Sequence, residues 1–293
     1  MKDEYFESLT AEHFPGSKVL GSEKLAGGVS ATVTLLHLQL SVGEKARIVL
    51  REHGPSHCGH PVDLEFHLLR SLSERALIVP NALAWGVADD LHRYPYILLD
   101  YLDGSTGIPA SAVENCIRTM AAELAAVHEC SIDLLPRLPL RVDPLPELLH
   151  FLSDEAEWDG LRSALTRMRS TKYTGKVVLL HGDYWPQNIV WRGGAFVGIL
   201  DWEDAAIGDP LSDVACACLE LSYTHGEWGA RCFLDAYRER REIDVFRFTL
   251  WQAYVAAAGA YSMANWGLEP SRELSMRQTA TDSIRAAART LGD

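Results

Sequence analysis

The sequence predicts an α+β fold in two lobes: a small antiparallel-sheet lobe over residues 1–101 and a larger, mainly helical lobe over 102–293. Three observations predict it. Before about residue 101, apolar residues alternate between glycine-marked turns. After Ala112 they recur at helical spacing. The short polar segment Leu102-Asp103-Gly104-Ser105 separates the two regimes and reads as a hinge.

Glu23–Leu25 leads into Gly27-Gly28, and Ala31–Leu40 then alternates through Val33, Leu35, Leu36 and Leu38. After a turn at Gly43, Ala46–Arg51 forms a further strand, so the opening reads as an antiparallel meander. Pro61–Leu72 places apolar residues at 62, 64, 66, 68, 69 and 72, with Pro61 suited to a helix start. A strand pair is expected over Ala82–Val87 and Tyr96–Tyr101. Ala112–Glu129 is a long alanine-rich helix. Pro136, Pro139, Pro144 and Pro146 mark a connection, and helix resumes to about Arg169. Val177–Leu180 and Phe196–Leu200 are short apolar strands that bracket a polar segment, His181–Asn188. From Pro210 to Leu291 the pattern is helical, and no internal repeat interrupts it.

Composition narrows the function classes. Hydrophobic residues make up 47% of the 293, which supports a packed core rather than disorder. The net charge of −13 is spread evenly, with 18 acidic and 12 basic residues before position 143 and 22 and 15 from there on. A nucleic-acid partner needs a basic stripe and is therefore not expected. An acidic surface serves solubility and is compatible with a cationic substrate. The opening Met1–Glu7 is acidic and lacks an apolar leader. The longest apolar stretch, Ala253–Ala264, is interrupted by Tyr254, Tyr261 and Ser262. The six cysteines form no C-x-x-C pair. A cytoplasmic enzyme without membrane contact is expected, of unspecified oligomeric state.

The chemistry concentrates in His181-Gly182-Asp183-Tyr184-Trp185-Pro186-Gln187-Asn188 and Ile199-Leu200-Asp201-Trp202-Glu203. One strand delivers Asp183 into a loop, Asn188 follows five residues later, and a second strand ends in Asp201. Phosphoryl transfer uses these groups: a carboxylate to take or orient the acceptor hydroxyl proton, and an amide and a second carboxylate to hold magnesium against nucleotide phosphates. The spacing H-x-D-x4-N followed by D matches the catalytic loop and metal-binding aspartate of the protein-kinase fold.

The run HGDYWPQNIVWRGGAFVGILDWEDAAIGDPLSDVA, His181–Ala215, resembles the signature of the aminoglycoside phosphotransferase-like kinases, which include choline, fructosamine, homoserine and macrolide kinases. HGD-x4-N, a hairpin, D-W-E and GDP-x-x-D occur in that order. The resemblance implies a bilobal protein-kinase-like fold, a small-molecule kinase activity, and ATP and magnesium as cofactors. It assigns Asp183 as catalytic base, Asn188 and Asp201 as magnesium ligands, and His181 as a brace of the loop. Glu203 is left to assist the metals through water or to touch the acceptor. Asp209 is expected to cap a helix beginning at Pro210, and Asp213, one turn on, to hydrogen-bond back to the catalytic loop.

On the nucleotide side, Gly27, Gly28 and Ser30 lie between strands where kinases cover the phosphates, although a full G-x-G-x-x-G is absent. Arg51 stands where a protein kinase has lysine, and several branches of the family also read V-L-R there. Its guanidinium offers a bidentate fork for phosphate. Glu65 in the following helix is its expected partner, and Asp100, Tyr101 and Leu102 resemble the hinge that receives adenine.

Rival readings weaken on specific residues. Only seven residues separate Asp201 from Asp209, too few for a protein-substrate platform of a protein kinase. No downstream G-N-H or H-x-H follows Gly182-Asp183, as a metallophosphoesterase requires. His53, His57, Cys58 and His60 match no standard zinc spacing and sit among Gly54, Pro55 and Gly59, so they read as a loop. A catalytically silent nucleotide-binding regulator of the same fold is the alternative, which retention of Asp183, Asn188 and Asp201 together weighs against. The acceptor is expected to be a small cationic or sugar-like molecule. Its pocket would draw on Glu203, Asp204, Glu220, Tyr223, Glu227, Trp228, Tyr254, Tyr261 and Trp266.

Overall fold

The computed structural model describes residues 2–25, 31–75, 77–90, 92–168 and 170–292. Gly27, Gly28 and Ser30 lie outside the described residues. The chain divides into two compact units. The first comprises Met1–Gly104 with Leu134–Pro136 and Val197–Glu203; the second comprises Ser105–Asp133, Arg137–Phe196 and Asp204–Asp293. The sequence reading groups 197–203 with the helical region, whereas its backbone joins the first unit through the Ile199 amide, which donates to the Ile78 carbonyl at 2.9 Å.

The first unit is built on five strands: β1 (Lys18–Lys24), β2 (Ala31–Gln39), β3 (Lys45–His53), β4 (Ala82–Gly86) and β5 (Tyr96–Asp100), ordered β1-β2-β3-β5-β4. Consecutive pairs are antiparallel, and β3 sits centrally, with Arg51 opposite Val33 on one side and Ile97 on the other. Leu36, Leu38, Ile48, Leu50, Tyr96 and Leu98 form one core face, closed by Phe6 and Leu9 of α1 (Lys2–His13). The sequence reading does not anticipate α1. Helix α2 (Val62–Ser73) buries Val62, Glu65, Leu68, Leu69 and Leu72, an i, i+3, i+7 stripe in which one position is a carboxylate. A charge in that stripe needs a partner within the same core.

The second unit is mainly helical. Helix α3 (Val113–Glu129) buries Ile117, Met120, Leu124 and His128; α4 (Leu145–Phe151) and α5 (Asp159–Arg167) follow. Three long helices close the chain: α6 (Leu211–Arg238), α7 (Val245–Ser262) and α8 (Pro270–Gly292). Gly226 breaks α6 with φ 66 and ψ −172. Asp244 starts α7 by accepting from the Arg247 amide at 3.1 Å. Leu148, Leu161, Leu165, Leu250, Ala257 and Ile284 belong to its core. Short strands carry the site: β6 (Ser105–Thr106), β7 (Leu140–Arg141), β8 (Val178–Leu180), β9 (Ile189–Arg192), β10 (Ala195–Ile199) and β11 (Ala206–Gly208). Of these, β11 lies between β7 and β8, with Ala206 opposite Leu180 and Gly208 opposite Arg141. Among the described residues, no helix is long and apolar enough to cross a membrane, and all six cysteines are free thiols.

Candidate active site

In the second unit, β8 ends at Leu180 and its buried, fully apolar strand delivers the polar loop His181–Asn188. Gly182 turns that loop with φ +91, and a Cβ there would lie 1.9 Å from the Asp204 carbonyl oxygen, so only glycine fits. The loop is held by Asp213, fully buried on the first turns of α6. Its Oδ2 accepts from the His181 amide at 2.7 Å and its Oδ1 from the Gly182 amide at 3.0 Å. His128 Nε2 lies 3.3 Å from Asp213 Oδ2, and its Nδ1 is 2.7 Å from the Tyr237 hydroxyl. Burial lowers the pKa of His128, so the neutral ring donates from Nε2 to the carboxylate and accepts from tyrosine at Nδ1. Burial alone would raise the Asp213 pKa, but His128 and the His181 amide outweigh it and hold the carboxyl below its usual range.

Within the loop, the Asp183 amide donates to His181 Nδ1 at 3.2 Å. His181 itself is fully buried, edge-on to Tyr184. Asn188, 7% exposed, donates from Nδ2 to the Asp183 carbonyl at 2.9 Å and to Asp183 Oδ2 at 3.2 Å. Both donations fix the amide, which leaves Asn188 Oδ1 as the oxygen available to a cation. Arg141 Nη1 donates to the Gly182 carbonyl at 3.0 Å. Behind α6, Asp209 is fully buried: Oδ1 accepts from the Leu211 amide at 3.0 Å, and Oδ2 accepts from Arg247 Nε at 2.6 Å and Trp251 Nε1 at 2.7 Å. Asp209 thus begins the helix and anchors α7 at once.

Along α6 every residue from Leu211 to Leu221 is buried except Cys216 and Glu220, one turn apart. Burial, then the charge of Asp183, pushes the Glu220 carboxyl up to about 8. Burial and Asp183 likewise raise the Cys216 thiol. Tyr223, one turn further, has a buried hydroxyl without a hydrogen-bond partner. Tyr254 donates to Glu147 Oε2 at 2.7 Å. Of the other expected acceptor residues, Glu227 pairs with Arg231 at the surface, and Trp228 and Tyr261 are 51% and 59% exposed.

In the first unit, Arg51 is 6% exposed and surrounded by carboxylates. Nη1 donates to Glu65 Oε1 at 2.6 Å; Nη2 donates to Asp201 Oδ1 at 2.8 Å and also to Glu203 Oε2. Burial alone would lower the Arg51 pKa, but the three carboxylates raise it; the same pairing lowers that of Glu65 against its own burial. Glu65 is the charged member of the α2 stripe, so Arg51 satisfies it. Asp201 adopts φ 62, a left-handed conformation rare outside glycine and frequent at functional turns. At the hinge, Asp100 is engaged by Asn81, whose amide and Nδ2 donate to it at 2.6 and 2.7 Å. The Arg47 guanidinium stacks over Tyr101 at 4.5 Å, and Leu102 packs against Gly198.

Several residues of this architecture carry no local signal in the sequence. His128, Tyr237, Arg141, Arg247 and Trp251 lie far along the chain from the loop they support, and only their buried or half-buried polar groups mark them.

The sequence profile of the phosphotransferase enzyme family matches residues 23–253, most of the chain. A homoserine kinase of Janthinobacterium sp. (strain Marseille) is 26% identical over 211 residues, covering 65% of this chain and 64% of that one. The chain spans from 17% to 64% of the length of the curated relatives it matches. Among solved structures, the GDP and kanamycin complex of APH(2″)-IIIa superposes with TM-score 0.68 at 16% identity, over 98% of this chain and 99% of that one. A macrolide 2′-phosphotransferase from Brachybacterium faecium superposes with TM-score 0.61 at 19% identity, over 94% and 98%. These likenesses carry the protein-kinase-like fold. The extent of the profile match makes this chain a member of the phosphotransferase enzyme family.

Proposed function

We propose that the chain moves the γ-phosphate of ATP, with magnesium, to a hydroxyl of a small amine-bearing or sugar-like molecule. The observation that carries this reading is the loop from His181 to Asn188, in which the Asn188 amide is clamped on Asp183 while Asp213 holds the loop backbone. Asp183 then accepts and orients the acceptor hydroxyl proton. Asn188 Oδ1 and the Asp201 carboxylate suit magnesium, which prefers hard oxygen donors and few protein ligands. When bound, that ion would neutralise charge developing on the phosphates. Arg51, kept charged and oriented by Glu65, supplies a fork for phosphate oxygens. Gly27, Gly28 and Ser30 would cover the phosphates, and the backbone of Asp100, Tyr101 and Leu102 would receive the base.

The acceptor class follows from the face of α6 nearest Asp183. Glu220 offers a half-buried carboxyl to an amine, and the Tyr223 hydroxyl an unused hydrogen-bonding group. That APH(2″)-IIIa was solved with kanamycin, and that the homoserine kinase is similar over two-thirds of this chain, supports an amine-bearing acceptor. The experiment is transfer of labelled γ-phosphate from ATP, and in parallel GTP, to a panel of aminoglycosides, macrolides, choline, homoserine, fructosamines and simple sugars. A phosphorylated small molecule is the expected product. Nucleotide binding without consumption across the panel would instead favour a silent regulator, and labelling of a protein would end the small-molecule reading. Cytoplasmic residence accords with this chemistry and is part of the proposal.

A further inference from the structure

The loop between β3 and α2 reads from the sequence as a plain connection, because His53, His57, Cys58 and His60 match no zinc spacing. In the folded chain a carboxylate 146 positions beyond His57 joins them. The donor atoms of His53, His57 and Glu203 all lie within 4.8 Å of one another, and the two imidazoles stack at 3.8 Å. His53 is 4% exposed. His53 Nε2, His57 Nδ1 and Glu65 Oε2 are buried and make no hydrogen bond, a condition native interiors rarely leave unexplained.

The tautomer of His57 sharpens this. Its Nε2 lies 2.8 Å from the His60 carbonyl oxygen, so that nitrogen carries the proton and donates. His57 Nδ1 then faces Glu203 Oε2 at 3.3 Å, and His53 Nε2 stands 3.3 Å from Glu65 Oε2. Each of these nitrogens faces a carboxylate oxygen, and either a ring proton or a bound cation satisfies such a pair. A separation of about 3.3 Å is the edge of a tetrahedron around an ion whose ligand bonds are ~2.0–2.1 Å. An imidazole that binds a metal through one nitrogen and donates to a backbone carbonyl through the other is the usual second-shell arrangement. Charge agrees: three carboxylates, Glu65, Asp201 and Glu203, face the single guanidinium of Arg51, a local excess of acid. Glu203 Oε2 also accepts from Arg51 Nη2, and a carboxylate oxygen has lone pairs for both partners.

We propose that His53, His57 and Glu203 form a binding site for a first-row divalent transition ion, with zinc the best fit. Two imidazole nitrogens and one carboxylate oxygen suit zinc, cobalt or nickel, whereas magnesium takes oxygen ligands. The ion would pin the 54–60 loop to Glu203, and Glu65 Oε2 or water would complete four-coordination. The site does not depend on the reading of the phosphotransfer loop.

The test is titration of the chelator-stripped full chain with cobalt(II) alone, followed by its visible d–d absorption. One equivalent per chain should bind with the intense band of four-coordinate cobalt, and zinc should displace it while excess magnesium does not. His53→Gln and His57→Gln should each weaken cobalt binding by at least about a hundredfold, beyond the effect of losing an outer-shell partner. Cys58→Ser and Asp183→Asn should leave it unchanged. Absence of cobalt uptake, displacement by magnesium, dependence on Cys58, or full binding in His57→Gln would each overturn the assignment. Because His57 lies in a loop, its variant decides the matter even if His53→Gln fails to fold.

Discussion

Asp213→Asn is the sharpest single perturbation of the second unit. Its carboxylate receives three donors, the amides of His181 and Gly182 and the Nε2–H of His128, and is fully buried. Asparagine keeps the shape but retains one acceptor oxygen and turns an NH₂ toward a donor. Hydrogen bonds to a charged group are each worth about 1.5–3 kcal/mol. Breaking a buried charged constellation by removing one partner costs about 3–5 kcal/mol. Against a total stability of about 5–15 kcal/mol, that is a large fraction. The expected result is a fall in Tm of roughly 10 °C, with a matching drop in the urea midpoint. The loss should be pH-dependent in wild type. The folded pKa of Asp213 lies below its unfolded value, so its contribution is complete at neutral pH and fades as pH falls through the acid range. A cycle with His128→Gln should return a coupling of about 1 kcal/mol or more. A loss below about 1 kcal/mol, or additive single variants, would refute the claim that this carboxylate holds the loop.

Two further outcomes follow. Glu220 is held near 8 in the folded chain and titrates near its ordinary value when unfolded, so wild-type stability should fall as pH rises between those values. Glu220→Gln should flatten that dependence in thermal scans and remove the rise in affinity for a cationic acceptor above pH 8; a pH-independent acceptor affinity in wild type would contradict it. Gly182→Ala forces a Cβ against the Asp204 carbonyl at φ +91 and should cost more than the ~1 kcal/mol of an ordinary backbone mismatch. Turnover in that variant should drop with the loop geometry; a wild-type melting curve would show that the loop is not so confined.

What the sequence makes legible is what is local. His181, Asp183, Asn188 and Asp201 fall within 21 consecutive positions, each just after a short apolar strand or in the loop that follows it, so spacing alone exposes them. The sheet alternation through Leu36, Leu38 and Leu50 and the stripe from Val62 to Leu72 are equally plain. Helix α1 is not, because among its described side chains only Phe6, Leu9 and Thr10 are buried in an acidic run without a strong apolar stripe. Strands β6, β7 and β11 are two or three residues long, too short for a period to register. The meeting of His53 and His57 with Glu203 is invisible for another reason: His53 ends β3, His57 lies in the loop after it and the glutamate follows β10, so tertiary structure supplies the third donor. Arg247 and Trp251 read as ordinary members of α7 until Asp209 is placed against them.

The measurement closest to the central claim is single-turnover transfer of γ-labelled phosphate from ATP-magnesium to the acceptor found in the panel, in wild type and Asp183→Ala. Nucleotide affinity should be measured on the same samples. The account predicts that transfer falls by at least ~10²–10⁴-fold while ATP affinity changes little, because Asp183 acts on the acceptor proton. Transfer at the wild-type rate in the Asp183→Ala chain would contradict it.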